Sequence, residues 1–418
     1  MTQNNQPNTV TVLGAGIVGV CCALSLQERG YQVTLIDRLL PGEATSYGNA
    51  GVISPWSCVP QCMPGTFRQI PGLIFKANSP VSFRWQDLIN TLPWMVRFLG
   101  NTHLSKVEPI ADAMDRLMHN NVASYKKFLS DTGQENLLVD SWYLNVFKGA
   151  MRPSLADLAW KLRIDRGAPI RIIDGAELRD IEPHLGASYH SAVVIEGQSR
   201  TIAPGRLCKA LAELALSQGM IMKTAEVQVI QPLPEAGYEL VCDGETIAAQ
   251  RLVVAGGIWS AELLRPLGFK IPLIAERGYH LEFANPGVTL THSVADVAGR
   301  FVVSSMENGI RAAGTAEFAS HDAPANMKRA QMLASQTQSL LPNLNINESS
   351  SWVGSRPSLP DSLPAIGAIP EMPGLFAAFG HSHYGMGMAP ATGRLIANMV
   401  AGVAENINPE VYSPSRFS

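Results

Sequence analysis

Hydrophobic positions divide the chain into clear elements. Residues 10–13 form a short apolar run, as expected of a strand buried on both faces. From residue 17 to 29 the apolar residues, Ile17, Val20, Cys21 and Leu24 among them, keep helical spacing, and Gly30 ends the helix. Residues 33–36 make a second apolar strand that ends in Asp37. A loop rich in Gly, Pro and Ser occupies 41–65 and is long enough to be functional. Residues 85–130 predict helices, with Trp85, Leu88, Leu92, Trp94, Met95, Phe98 and Leu99 on one apolar stripe and an amphipathic stretch over 104–129. Further helices are predicted over 151–165, 176–181, 204–218, 327–341 and 388–403. Strands are predicted over 193–195, 221–230, 238–242, 247–255, 273–283, 301–305 and 310–314.

Length and composition narrow this picture. The chain has 418 residues, enough for two or three domains with a sizeable core. Apolar residues make up 46% and charged residues 16%, which describes a globular chain with a large interior. Net charge is −3 and no basic run resembles a nucleic-acid footprint. No stretch reaches the roughly 18 uninterrupted apolar residues of a membrane span. The polar, uncharged start from Met1 to Asn8 lacks the features of a signal peptide. The six cysteines show no disulfide spacing, so a reducing, cytoplasmic setting is expected.

The first forty residues carry chemistry. Between the two strands lies Gly14-Ala15-Gly16-Ile17-Val18-Gly19, so the order is strand, glycine turn, helix, strand, acid: a dinucleotide-binding unit. Gly14 permits the tight turn, Gly16 lets backbone approach a pyrophosphate, and Gly19 lets helix and strand pack closely. The helix N-terminus offers free N–H groups to phosphates. Asp37 suits ribose hydroxyls and argues only against a 2′-phosphate, so the turn does not separate NAD from FAD. A second glycine segment, Gly380-His381-Ser382-His383-Tyr384-Gly385-Met386-Gly387, runs into the last helix and offers another site for a negative group. His381 and His383 invite a metal reading, but no third or fourth ligand accompanies them, and none is expected.

Taken in order, the motifs resemble those of the FAD-dependent D-amino acid oxidase superfamily, and most resemble its bacterial D-amino acid dehydrogenase branch. They are Gly14–Gly19 with Asp37, Ser46-x-x-Asn49-Ala50-Gly51, Val254-Ala255-Gly256-Gly257-Ile258-Trp259, Gly354-Ser355-Arg356-Pro357, and Gly380-His381 with Gly385-Met386-Gly387. The resemblance covers nearly the whole chain. It implies a mixed α/β fold. A Rossmann-like FAD-binding domain would be assembled from 1–85, 190–270 and 345–418. A substrate domain on a mixed or antiparallel sheet would come from 86–189 and 271–344.

The resemblance also implies roles. Residues 14–19, Asp37, Arg38, Ser46, Asn49, Ala50, Gly51, Val227, Ala255, Gly256, Trp259, Gly354, Gly380, His381, Tyr384 and 385–387 would hold FAD. The helix after Gly385 would point at the flavin's pyrimidine end and stabilise its reduced form. Demethylating relatives tether FAD through a histidine near Asn49, which Asn49 cannot do, so the FAD is expected to be non-covalent. Arg356 would pair with a substrate carboxylate through its planar fork. Tyr279, His383 and Tyr384 would be further substrate-facing or flavin-facing groups. The implied reaction is oxidative deamination of a D-amino acid, proline-like substrates such as 4-hydroxy-D-proline included. Hydride passes from Cα to flavin N5, and the imino acid hydrolyses to a 2-oxo acid. The implied acceptor is a quinone or respiratory carrier, or oxygen.

Other readings stay open at this point. Arg356 could instead pair with a structural acid such as Asp361. An N-methyl amino acid, sarcosine or glycine oxidase would share fold and chemistry. A flavin-binding sensor would need neither Arg356 nor the C-terminal glycines. Residues 92–99 suit either a core helix or an interfacial segment, the latter bringing the protein to the inner membrane face.

Overall fold

A computed structural model describes residues 8–66, 79–404 and 406–417. Met1–Pro7, part of the polar start, lie outside the described residues.

The apolar runs Thr9–Leu13 and Gln32–Asp37 lie side by side, parallel, in a six-stranded sheet. Its order is Ala365–Ala368, Leu375–Phe379, Leu252–Val254, Thr9–Leu13, Gln32–Asp37, Ile221–Thr224. All neighbours are parallel except the first pair. Between the first two strands runs the helix Ile17–Glu28, buried from Ile17 through Leu26 except at Val18. Such all-round burial needs cover on more than one side. The last helix, Gly385–Ala401, and Pro204–Ser217 both pack on it. Gly393 marks the closest approach of the last helix, since a Cβ there would overlap the Cys21 carbonyl.

The second layer is a ten-stranded mixed sheet. At one end Ile274–Phe283 pairs antiparallel with both Gly309–Phe318 and Ser349–Ser358. At the other, Leu138–Lys148 pairs antiparallel with Tyr189–Thr201 over most of its length. Met327–Leu340 packs on the first of these groups. Val52–Ile53, Val81–Phe83 and Ser349–Ser358 belong to this sheet although they lie in stretches expected to belong to the cofactor part. A third, smaller sheet is antiparallel and consists of Thr246–Ala249, Tyr238–Cys242 and Val227–Pro232.

Several expected elements change. The helix expected over 151–165 is only Leu158–Ile164. The run 221–230 is two strands in different sheets, and so is 247–255. The last helix begins at Gly385, so Gly385, Met386 and Gly387 form its first turn. The stripe on Leu88–Gly100 splits. Trp94 turns inward and donates from its indole N–H to the Ser358 carbonyl at 3.1 Å. Trp85 and Ile89 are each 83% exposed, and Leu88, Leu92 and Val96 are exposed too.

Candidate active site

An elongated cavity of about 850 Å³ lies between the two larger sheets. At one end the glycine turn forms its wall. Gly14 has φ +114, and a Cβ there would overlap the Ala255 carbonyl, so the turn admits no side chain. Gly19 is held just as closely against the Gly14 carbonyl. Ser46 Oγ accepts from the Ile17 N–H at 3.0 Å, tying the loop after the second strand to the start of the helix. Asp37 Oδ2 accepts from the Ala15 N–H at 2.6 Å and Oδ1 from the Leu39 N–H at 3.0 Å, so the carboxylate also braces the turn. Arg38 lies 4.2 Å over the Trp259 ring and pairs with Glu226 at 2.9 Å; with Val227 they close this end.

Most expected cofactor residues line the cavity: Gly14, Gly16, Ile17, Val18, Asp37, Arg38, Ser46, Asn49, Ala50, Val227, Ala255, Gly256, Trp259, Gly354, Gly380, His381, Tyr384, Gly385 and Met386. Four do not. Ala15 and Gly19 lie behind the turn, Gly51 (φ +83) packs on the Thr201 carbonyl, and Gly387 packs on Met118. Asn49 is spent locally, with Oδ1 accepting from the Gly51 N–H at 2.8 Å.

The opposite end is built from side chains. Alternation along paired strands puts Glu276, Gly278 and His280 on one face with Arg356, Gly354 and Trp352. A Cβ at Gly278 would overlap the Arg356 guanidinium, so that glycine is the bed on which the guanidinium lies. Arg356 Nη1 donates to Glu276 Oε1 at 3.1 Å and to the Thr315 carbonyl at 3.2 Å. Among the described residues its Nη2 and Nε have no hydrogen-bond partner, and the residue borders the cavity. Arg356 does pair with a buried acid, but that acid is Glu276 and not Asp361, which binds Arg416 at 2.7 Å.

Glu276 is the centre of this end. Its side chain is 4% exposed. Gln61 Nε2 donates to its Oε2 at 3.0 Å, and His383 Nδ1 lies 3.4 Å from Oε1. Gln61 Nε2 also contacts His383 Nε2. An amide N–H2 only donates, so this network assigns the His383 proton to Nδ1. Burial pushes the Glu276 carboxyl up, but His383, Arg356 and Gln61 outweigh it and hold it below its ordinary value. Burial lowers the His383 imidazole, Glu276 pulls it up, Arg356 pushes it down, and the net position is lowered.

The remaining expected residues fall into place by geometry. Tyr279 borders the cavity, and its hydroxyl is already engaged, donating to Glu317 Oε2 at 2.6 Å and accepting from the Asn326 N–H at 3.0 Å. His381 and His383 diverge. His381 Nε2 meets Thr392 Oγ1 at 3.0 Å, and burial takes its pKa down to about 3, leaving it neutral. Among the described residues no cluster is arranged to hold a metal. Tyr384 donates to the Val59 carbonyl at 2.7 Å, and burial raises its pKa. Sequence reasoning missed Glu276 and Gln61 as functional groups. The strand alternation beside Arg356 could have found Glu276; nothing local marks Gln61.

Comparison with known proteins follows the same lines. The family model for FAD dependent oxidoreductases matches residues 9–399. A D-amino-acid oxidase of Bradyrhizobium diazoefficiens is 34% identical over 420 residues, covering 98% of both chains. A D-amino acid dehydrogenase of Paramagnetospirillum magneticum is 29% identical, covering 98% of this chain and 99% of its own. The crystal structure of glycine oxidase from Geobacillus kaustophilus superposes with a TM-score of 0.75 at 22% identity, covering 98% of each chain.

Proposed function

The chain belongs to the family of FAD-dependent oxidoreductases, and from that premise we propose that it oxidises the carbon–nitrogen bond of a small D-amino acid. The residues present fit FAD. The bare turn at Gly14 and Gly16 and the start of the helix Ile17–Glu28 suit the pyrophosphate, Asp37 a ribose, and Val227 the adenine. The first turn of Gly385–Ala401 suits the flavin's pyrimidine end. Asn49 carries no ring nitrogen and is engaged with Gly51, so the cofactor is held non-covalently. The six-stranded sheet and its helices form the cofactor part, and the ten-stranded sheet carries the amino acid part.

When bound, FAD takes up the two electrons released as the Cα–N bond becomes a double bond. The chain's own groups do the rest. Arg356 holds the substrate carboxylate by its unoccupied edge, and Glu276 and Thr315 keep that guanidinium from turning. Tyr384 and His381 are fixed by Val59 and Thr392 and shape the wall beside the flavin. The imino acid then hydrolyses in water to a 2-oxo acid, or stays a cyclic imine for a proline-like substrate.

The observation that carries this reading is Arg356, seated on a glycine bed with half its fork fixed and half on the cavity. The test is anaerobic bleaching of bound flavin by a panel of D- and L-amino acids with glycine, sarcosine and 4-hydroxy-D-proline. A D-amino acid should bleach it fastest. Formaldehyde release from sarcosine would move the reading to a demethylase, and no bleaching at all would leave a flavin-binding protein without turnover.

One observation bears on the acceptor. The outward face of Leu88–Gly100, with Trp85, Ile89, Leu92 and Val96, suits contact with a lipid interface, and no described helix is long and apolar enough to cross a membrane. This favours a membrane quinone over oxygen, and quinone-analogue reduction measured against oxygen uptake decides it.

A further inference from the structure

We propose that Glu276 recognises the substrate's ammonium group, making the site selective for zwitterions over acids that carry no amine. The inference rests on the amino acid reading above and deepens it. An ionised carboxylate accepts about four hydrogen bonds. Glu276 receives two, from Arg356 Nη1 and Gln61 Nε2, while His383 Nδ1 lies 3.4 Å from Oε1, so acceptor capacity remains, and the residue borders the cavity. Arg356 keeps Nη2 and Nε for a carboxylate. The two unspent edges belong to groups 3.1 Å apart. An α-amino acid carries its two charged groups on adjacent atoms, one for each edge.

Charge points the same way. Glu276 and Arg356 neutralise each other before any ligand arrives, and Glu276 is almost fully buried. A monocarboxylate without an amine leaves the pair net negative and the free acceptor capacity of Glu276 unused. A dicarboxylate adds a second negative charge beside Glu276. Among carboxylates, only a ligand that also brings a positive charge keeps the end neutral. Gln61 has no such role, because it donates to Glu276 and fixes its direction, and His383 presents Nδ1 to the same carboxylate at 3.4 Å.

The test uses the FAD-loaded enzyme, with KM for D-proline and competitive Ki values for cyclopentanecarboxylate, the same ring without nitrogen, and for succinate. Wild type should bind D-proline at least about tenfold better than either acid. In Glu276→Gln the KM should rise about tenfold while both Ki values hold or fall, since Arg356 is released from its partner. Glu276→Asp, still charged, should keep the acids excluded. Loss of all three affinities together, or wild type binding succinate as well as D-proline, for instance through Arg300 on the cavity wall, would overturn the assignment. If Glu276→Gln loses FAD, the wild-type ratio and Glu276→Asp carry the test alone. An enzyme that reduces its flavin with no amino acid overturns the functional reading, whereas turnover with an unchanged acid-to-amino-acid ratio in Glu276→Gln overturns only the role of Glu276.

Discussion

The two ends of the cavity are built by opposite means. The cofactor end is backbone. Gly14, Gly16 and Gly19 clear space so that N–H groups and a helix start can face a long anion, and only Asp37 and Ser46 brace them. The amino acid end is side chain. Gln61, Glu276, Arg356 and His383 come from four distant stretches and meet only because two strands pair in register and a loop folds over them. A backbone site has no tolerance for added atoms but needs little chemistry. A side-chain site tolerates changes of shape but depends on charges keeping their partners.

The largest effect that contrast predicts is at Gly14. Gly14→Ala places a methyl on the Ala255 carbonyl at φ +114, so the turn must open, and the protein should purify without flavin absorbance. Gly30→Ala, also at positive φ but with open space around it, should keep its FAD and lose only the roughly 1–2 kcal/mol of the left-handed backbone. Full flavin content in Gly14→Ala would break the comparison at its cofactor end. At the other end, Arg356→Ala should leave flavin content intact and raise the KM for the best amino acid about a hundredfold. An unchanged KM would remove Arg356 from the site.

The same contrast explains what is legible in the chain. The glycine turn, its helix and Asp37 lie within about thirty consecutive residues, where each requirement falls on a neighbour, so spacing alone exposes them. A motif marks Arg356 but not its partner, because pairing of 274–283 with 349–358 is a tertiary fact. The strand Leu138–Lys148 escapes the pattern altogether. It and Tyr189–Thr201 bury Ser141, Gln198, Ser199, Arg200 and Thr201, which breaks the apolar alternation that marks a strand. Tyr279 borders the cavity, but the engagement of its hydroxyl by Glu317 and Asn326 is likewise a tertiary fact that no local spacing carries.

Acid offers a finer comparison of the two ends. His381, packed on the last helix, and His280, stacked 5.1 Å from Trp352 under the amino acid end, both have pKa values lowered to about 3. Burial does this for His381; for His280 burial leads and Arg311 adds to it. Below pH 6.5 the unfolded chain takes up protons that these folded imidazoles refuse, so stability falls as pH drops from 6.5 toward 3. At pH 5 each costs about 2 kcal/mol. Glu182, just past the end of the helix Gly175–Ile181, works in the opposite sense. Burial raises it to about 7 against two backbone N–H bonds, so its folded form prefers the proton and stability is lost as pH rises from 4.5 to 7. Acid therefore sets His280 and Glu182 against each other, while His381, bound to Thr392 of the last helix, adds to the loss. His381→Asn should shrink the drop in unfolding free energy between pH 7 and pH 5 by about 2 kcal/mol. The denaturation midpoints of both proteins at the two pH values measure it, and an equal drop in both would mean that His381 takes its proton in the folded state.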